Sequence, residues 1–255
     1  MSEQHVFAVA SGKGGVGKTT TAVNVATAIA GGGFRVAVID ADLGMANMSG
    51  LISLEPGDAT LHDVLAGEAP IEDATYEVAR GIFAIPSGEE LDTYAKTDAR
   101  GLGDVVADLE GRFDYVFLDV GAGISHETVL PLGIADGVIL IATPEPAAVN
   151  DVEKTRDLVE RADGEVVGLV MTRTRATDAM DPEEVAADLG VDLLGTVPED
   201  GAVRGSLYAG VPLVVQNPES KASIGYRRIA AQLADRTGAT QPPTGPGDRG
   251  VIDED

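Results

Sequence analysis

Ser11-Gly12-Lys13-Gly14-Gly15-Val16-Gly17-Lys18-Thr19-Thr20 is the stretch on which the reading of this chain turns. From Gly12 to Thr19 it spells G-x-x-x-x-G-K-T. It follows the apolar run His5–Ala10 and opens a helical pattern over Thr19–Ala30, the strand–loop–helix setting that a phosphate-cradling loop requires. The glycines Gly12, Gly14, Gly15 and Gly17, with Val16 among them, let backbone N–H groups turn inward around phosphate oxygens. A helix starting near Thr19 adds the positive end of its dipole. Lys18 is expected to reach the β- and γ-phosphates, the Thr19 hydroxyl to ligate Mg²⁺, and Thr20 to lie near the α-phosphate. The bland reading, a glycine-rich turn with a chance lysine, is disfavoured by the flanking strand and helix. Lys13 lies on the wrong side of the loop to duplicate Lys18, so it points outward, either to a phosphate of a facing subunit or simply to solvent.

Working outward, short Val- and Ile-rich runs alternate with helical patterns. His5–Ala10, Arg35–Ile39, Tyr115–Leu118, Val138–Ala142, Val166–Met171 and Leu193–Val197 read as strands buried on both faces. Thr19–Ala30, Ala99–Glu110, Val149–Arg161, Pro182–Leu189 and Ala222–Arg236 read as helices. The alternation predicts an α/β fold, a mostly parallel sheet with helices on both faces and ligands at the carboxyl ends of the strands. Residues 1–237 are expected to form one domain, and 238–255, Pro/Gly-rich and acidic, a disordered tail.

Two further strand ends carry carboxylates. Asp40-Ala41-Asp42 puts two of them at i and i+2, able to aim into one cleft, one holding a metal-bound water and the other positioning an attacking water. Asp119 follows Tyr115–Leu118 and is the expected second Mg²⁺ anchor, and Gly121 and Gly123 after it suit a loop that moves when a γ-phosphate leaves. Turn-capping aspartates are the plain alternative for the first pair. His5, His62 and His126 are scattered without metal spacing, and Arg204, Arg227 and Arg228 read as a solvated helix face.

Composition narrows the classes. The 255 residues contain no cysteine, which excludes disulfides, thiolate-held zinc and iron–sulfur ligation by this chain. No apolar run is long enough for a transmembrane helix, and the N-terminus lacks a signal-peptide pattern, so a cytoplasmic location is expected. Asp and Glu total 42 against 18 Lys and Arg, a net charge of −24. Such self-repulsion is screened in concentrated salt, as in the cytoplasm of a halophilic archaeon. It also opposes nonspecific binding to nucleic acid, which needs Lys and Arg facing phosphates.

Together these segments resemble the MinD/ParA family of deviant Walker A ATPases, over nearly the whole folded part, with MinD- and FlhG-like members, archaeal ones included, closest in appearance. SGKGGVGKTT resembles the family's Walker A loop, DADLGMAN its switch I, and FLDVGAGI its switch II, with Gly121 where many members carry Pro. ATPEPAAVNDVEKT resembles the segment after the next strand, and GTVPEDGAVRGSLYAGVPLVVQNPES the stretch near adenine. The resemblance implies ATP and Mg²⁺ as cofactors and a homodimer formed on ATP binding. Lys13 would contact the partner's nucleotide, Lys18 and Thr19 the phosphates and magnesium, Asp42 the hydrolytic water, and Asp119 would be the Walker B aspartate. Asp151 would lie on the dimer face, and Arg173, Pro198, Glu199 and Asp200 along the base. Two departures stand out: Thr172-Arg173 replaces the family's usual Asn-Arg, and the last helix has a mostly alanine apolar face, a poor lipid anchor.

The function this implies is an ATP-driven switch that positions division, motility or sensory machinery. It would be a slow ATPase stimulated by an unidentified protein partner or cargo, with any membrane association weak or partner-mediated. A ParA-like DNA-partitioning ATPase is the alternative, opposed by the missing basic surface. A metal-cluster carrier lacks its cysteines, and a carboxylate-activating synthetase lacks a substrate motif.

Overall fold

Eight runs dominated by Val, Ile, Leu and Ala assemble into one sheet in the computed structural model, which describes residues 4–44, 48–54, 59–88, 97–123 and 126–238 (only the backbone of His126 and Glu127). The strands are β1 (His5–Ala10), β2 (Val36–Ala41), β3 (Tyr76–Ala79), β4 (Ile82–Ile85), β5 (Tyr115–Val120), β6 (Gly137–Ala142), β7 (Val166–Thr174) and β8 (Leu193–Pro198). Their order is β3-β4-β2-β5-β1-β6-β7-β8, parallel throughout except for β3, which pairs antiparallel with β4. The chain leaves β1 toward the β3 edge and returns from β5, across β1, to β6. The reversal therefore falls beside the carboxyl end of β1, where an open α/β sheet offers its crevice.

Alternate residues of each central strand serve opposite faces. Val6, Ala8, Ala10, Ile39, Val116 and Leu118 pack into one core with α3 (Leu61–Leu65), α4 (Leu102–Asp108), α5 (His126–Ile134), α6 (Pro146–Arg161) and α7 (Pro182–Leu189). Phe7, Val9, Val38, Tyr115, Phe117 and Ile139 pack into the other with α1 (Lys18–Gly31), α2 (Met48–Leu51), α8 (Gly201–Ala209), α9 (Leu213–Gln216) and α10 (Lys221–Arg236). Burial of both faces is why these strands are continuously apolar rather than alternating. α1 is buried nearly all round; its Asn24 side chain accepts from Val214 N–H at 3.1 Å, tying α9 to the helix that follows the phosphate loop.

The six expected strands and five expected helices are present, β1 and α7 with the expected bounds and the others with shifted ends. β2 and β5 each run two residues further than the apolar patterns, because Asp40 and Asp119 sit inside the ladder as register partners of one another. The stretch 99–110 divides into a 3₁₀ turn, Ala99–Gly101, and α4. The β3–β4 hairpin and α2, α3, α5, α8 and α9 were not expected. β3 alternates half-buried and exposed residues as an edge strand, and α5 contains Pro131, which obscures a helical reading. The tail expected from 238 onward lies outside the described residues after Gly238, as does the part of the DADLGMAN segment beyond Gly44.

Candidate active site

The loop between β1 and α1 follows from its glycines. Gly15 and Gly17 adopt φ of 76° and 99°, left-handed values that side-chain-bearing residues rarely take. Gly12 is required for a different reason: a Cβ there would lie 2.2 Å from the carbonyl oxygen of Asp151 on α6. Around Gly14 and Gly15 a Cβ would meet nothing within 4 Å, so this part of the loop is not packed against the rest of the described chain. Val16 is buried in the core and anchors the loop. Gly17 caps α1 without any side-chain cap, leaving the first N–H groups of that helix for an anionic ligand.

The loop's lysines go opposite ways. Lys18 opens α1 and is only 9% exposed. Burial lowers its pKa, opposed by the charges of Asp119 and Asp42. Lys13 is exposed and its Nζ lies 3.4 Å from the carboxylate of Glu145, the residue preceding α6, itself exposed. Lys13 thus points outward in an exposed ion pair, which leaves both alternatives for it open.

Facing Lys18 are the carboxylates of Asp119 on β5 and of Asp42 just past β2. Asp119 is 1% exposed, and burial together with the charge of Asp40 pushes its pKa up to about 8, against the lowering effects of the Thr19 hydroxyl and Lys18. One of its oxygens, Oδ1, is buried without a hydrogen-bond partner among the described residues. An orphaned carboxylate oxygen beside a helix-opening threonine fits a divalent cation or a water on it. Among the described residues no three acidic or imidazole groups form a closed metal cage, so a cation here would complete its shell with phosphate oxygens and water.

Asp40 and Asp42 take different roles. Asp40 is fully buried, and its carboxylate accepts the N–H groups of Asp42 (3.3 Å) and Met48 (3.2 Å), so it shapes the segment after β2. Asp42 is half-buried, and its carboxylate sits where a Cβ on Gly121 would come within 3.0 Å, so the Gly at 121 leaves room for it. His62 is likewise structural. Gly88 N–H donates to its Nδ1 (2.8 Å), leaving Nε2–H for the Leu43 carbonyl (3.0 Å), which steadies the segment after Asp42.

Beside the loop lies a cavity of about 790 Å³, lined by Gly17, Thr20, Thr172, Arg173, Val197, Pro198, Glu199, Asp200, Arg204 and Tyr226 among others. Its position, continuous with the loop and between β7, β8 and α8, suits a nucleoside. The four residues expected along the base are all here, but three have side chains already engaged. Arg173 donates to Gly15 O at 2.5 Å, Glu199 pairs with Arg175, and Asp200 accepts from Ala202 N–H (2.9 Å) and Ala222 N–H (3.3 Å), capping α8 and reaching α10. The Thr172 hydroxyl bonds to Val16 O at 2.6 Å. Sequence reasoning missed these engagements, and Arg204, read as a solvated helix residue, also lines the cavity.

Comparison with known proteins agrees with this arrangement. The model of the ParA family, described as NUBPL iron-transfer P-loop NTPase, matches residues 2–234. An uncharacterized ATP-binding protein of Methanocaldococcus jannaschii is 37% identical over 228 residues, covering 89% of this chain and 86% of its own. The septum site-determining protein MinD of Bacillus subtilis is 34% identical over 235 residues, covering 88% and 87%. The MinD of Pyrococcus horikoshii, solved with Mg-ADP, superposes with a TM-score of 0.87 at 31% identity, covering 93% of this chain and 98% of that one. With its phosphate loop, paired lysines and parallel sheet, the chain belongs to the ParA family of P-loop NTPases, in which its structure matches MinD.

Proposed function

We propose that this protein is an ATP-dependent dimerising switch that positions cellular machinery, hydrolysing ATP slowly to ADP and phosphate. The observation that carries the reading is the division of labour between two lysines of one loop. Lys18 is buried toward the carboxylates of Asp119 and Asp42, while Lys13 points outward to an exposed partner. An exposed ion pair such as Lys13–Glu145 is worth at most about 1 kcal/mol, so little opposes re-aiming Lys13 at the nucleotide of a facing copy. Asp151, packed under Gly12, would lie on the same face.

Within one subunit the loop's N–H groups and Lys18 would bind the phosphates. Thr19 would ligate magnesium, Asp119 would hold it through water and Asp42 would stand close by; the Pyrococcus horikoshii relative, complexed with Mg-ADP, supports magnesium and nucleotide as the ligands. The cation would neutralise phosphate charge in a buried setting. Asp42, whose carboxylate lies beside Gly121, would orient a water and accept its proton. The base would occupy the cavity along Pro198 and Glu199.

The apolar residues of α10, including Tyr226, Ile229, Ala230 and Leu233, are buried in the core, so this helix has no spare face for lipid. Membrane or polar localisation would then come through a partner, which would also stimulate hydrolysis. The test is molar mass in concentrated KCl with and without MgATP, for the wild type and Asp42→Ala. Conversion of monomer to dimer by ATP, locked in Asp42→Ala, is expected. A mass indifferent to nucleotide would contradict the switch.

A further inference from the structure

Near the end of β7, the consecutive residues Thr172 and Arg173 grip two consecutive carbonyls of the phosphate loop. Arg173 Nη2 donates to Gly15 O at 2.5 Å, and the Thr172 hydroxyl lies 2.6 Å from Val16 O and 3.2 Å from Ala142 O. A hydroxyl has one proton, and the shorter contact, to the loop, takes it. Thr172 is buried, and Arg173 holds a left-handed backbone (φ 54°) that residues with side chains rarely adopt.

The consequence follows from peptide geometry. In a trans peptide the C=O of one residue and the N–H of the next point in opposite directions. Every described peptide here is trans. Holding Gly15 O and Val16 O from the β7 side therefore aims the N–H groups of Val16 and Gly17 the other way, away from β7. We propose that Thr172 and Arg173 are positioning residues that preorganise the phosphate loop for a polyphosphate, although both also line the base cavity. This rests on the reading of Gly12–Thr20 as a triphosphate cradle. It assigns Thr172 a task other than reading the base, since its one proton is committed to Val16 O.

The test uses the full chain in concentrated KCl with Mg²⁺, as wild type, Thr172→Val, Thr172→Ser and Arg173→Gly. Two readouts are needed: residue-resolved hydrogen exchange of the Val16 and Gly17 amides without ligand, and equilibrium binding of ATP and of inorganic tripolyphosphate, which has no base. Thr172→Val keeps the shape and removes the proton; it is expected to speed exchange of both amides and to weaken both ligands by the same factor, about tenfold. Thr172→Ser is expected to restore wild-type values. Glycine accepts φ 54° without strain, so Arg173→Gly should fold well and show a smaller loss for both ligands, about threefold, as its bond is exposed.

Weakened ATP binding with unchanged tripolyphosphate binding would assign the residues to the base and overturn the proposal. So would unchanged amide exchange in Thr172→Val. If the wild type binds neither ligand, the cradle reading itself fails and takes the proposal with it; if the wild type binds both and all variants match it, only the clamp fails.

Discussion

The two halves of the cleft treat charge in opposite ways. In the phosphate half, at the ends of β1, β2 and β5, Lys18, Asp40 and Asp119 are all at most 9% exposed. In the base half, at the ends of β7 and β8, Arg173, Arg175 and Glu199 are exposed or nearly so, and they pair among themselves or with backbone. Buried charges cannot exchange partners with water, so each is held against a specific counter-charge or ligand. Exposed ones are interchangeable at small cost. The difference teaches where this molecule keeps its chemistry and where it keeps mere complementarity.

The sharpest way to break that contrast is Lys18→Met. The substitution removes the cation facing Asp119 and Asp42, and we expect MgATP binding to fall at least about a hundredfold. Burial outweighs those carboxylates in setting this lysine's pKa, so the nucleotide-free protein is expected to be no less stable than wild type. Calorimetric titration and thermal unfolding, both in concentrated KCl, check the two parts, and a large loss of stability would mean that the carboxylates depend on this lysine even without nucleotide.

Next come two glycines of one loop. Gly12→Ala drives a methyl into the backbone of Asp151, and a cost of about 1–3 kcal/mol is expected. Gly14→Ala meets open space and is expected to stay within about 0.5 kcal/mol of wild type in the absence of ligand. Denaturant midpoints of the nucleotide-free proteins distinguish them, and equal costs would contradict the packing of the loop on α6. The smallest effect is expected in the base half. Glu199→Gln breaks the exposed pair with Arg175 and is expected to change stability by less than about 1 kcal/mol, as read by the same unfolding curves. A larger loss would show that this half also relies on fixed charge.

The same contrast explains how much was legible beforehand. The phosphate loop, Lys18, Thr19, Asp42 and Asp119 are local motifs at strand ends, and the structure brings them together in one cleft. The central strands were legible because burial on both faces makes them continuously apolar. Strand ends were misjudged at Asp40 and Asp119, where a charged side chain looks like the end of a buried run. Here each pairs across the ladder with the other. The β3–β4 hairpin and α5 lack a clean period, one because it is an edge and the other because of Pro131. The base half was legible only as a list of residues. Whether Thr172 and Asp200 face a ligand or hold a backbone depends on contacts with Val16 and Ala222, distant in sequence and invisible to spacing.

The central claim is that Lys13 works on the nucleotide of a facing copy while Asp42 works on its own. Mixing two inactive proteins tests it directly. Lys13→Gln and Asp42→Ala should each hydrolyse ATP negligibly alone. In a mixed dimer the Lys13→Gln subunit keeps its own Asp42 and receives Lys13 from its partner, so one of the two sites is complete. An equal mixture, with half its dimers mixed, is predicted to recover about a quarter of the wild-type rate. A mixture as inactive as its components, despite dimers forming with ATP, would place both residues in the same subunit's site and contradict the account.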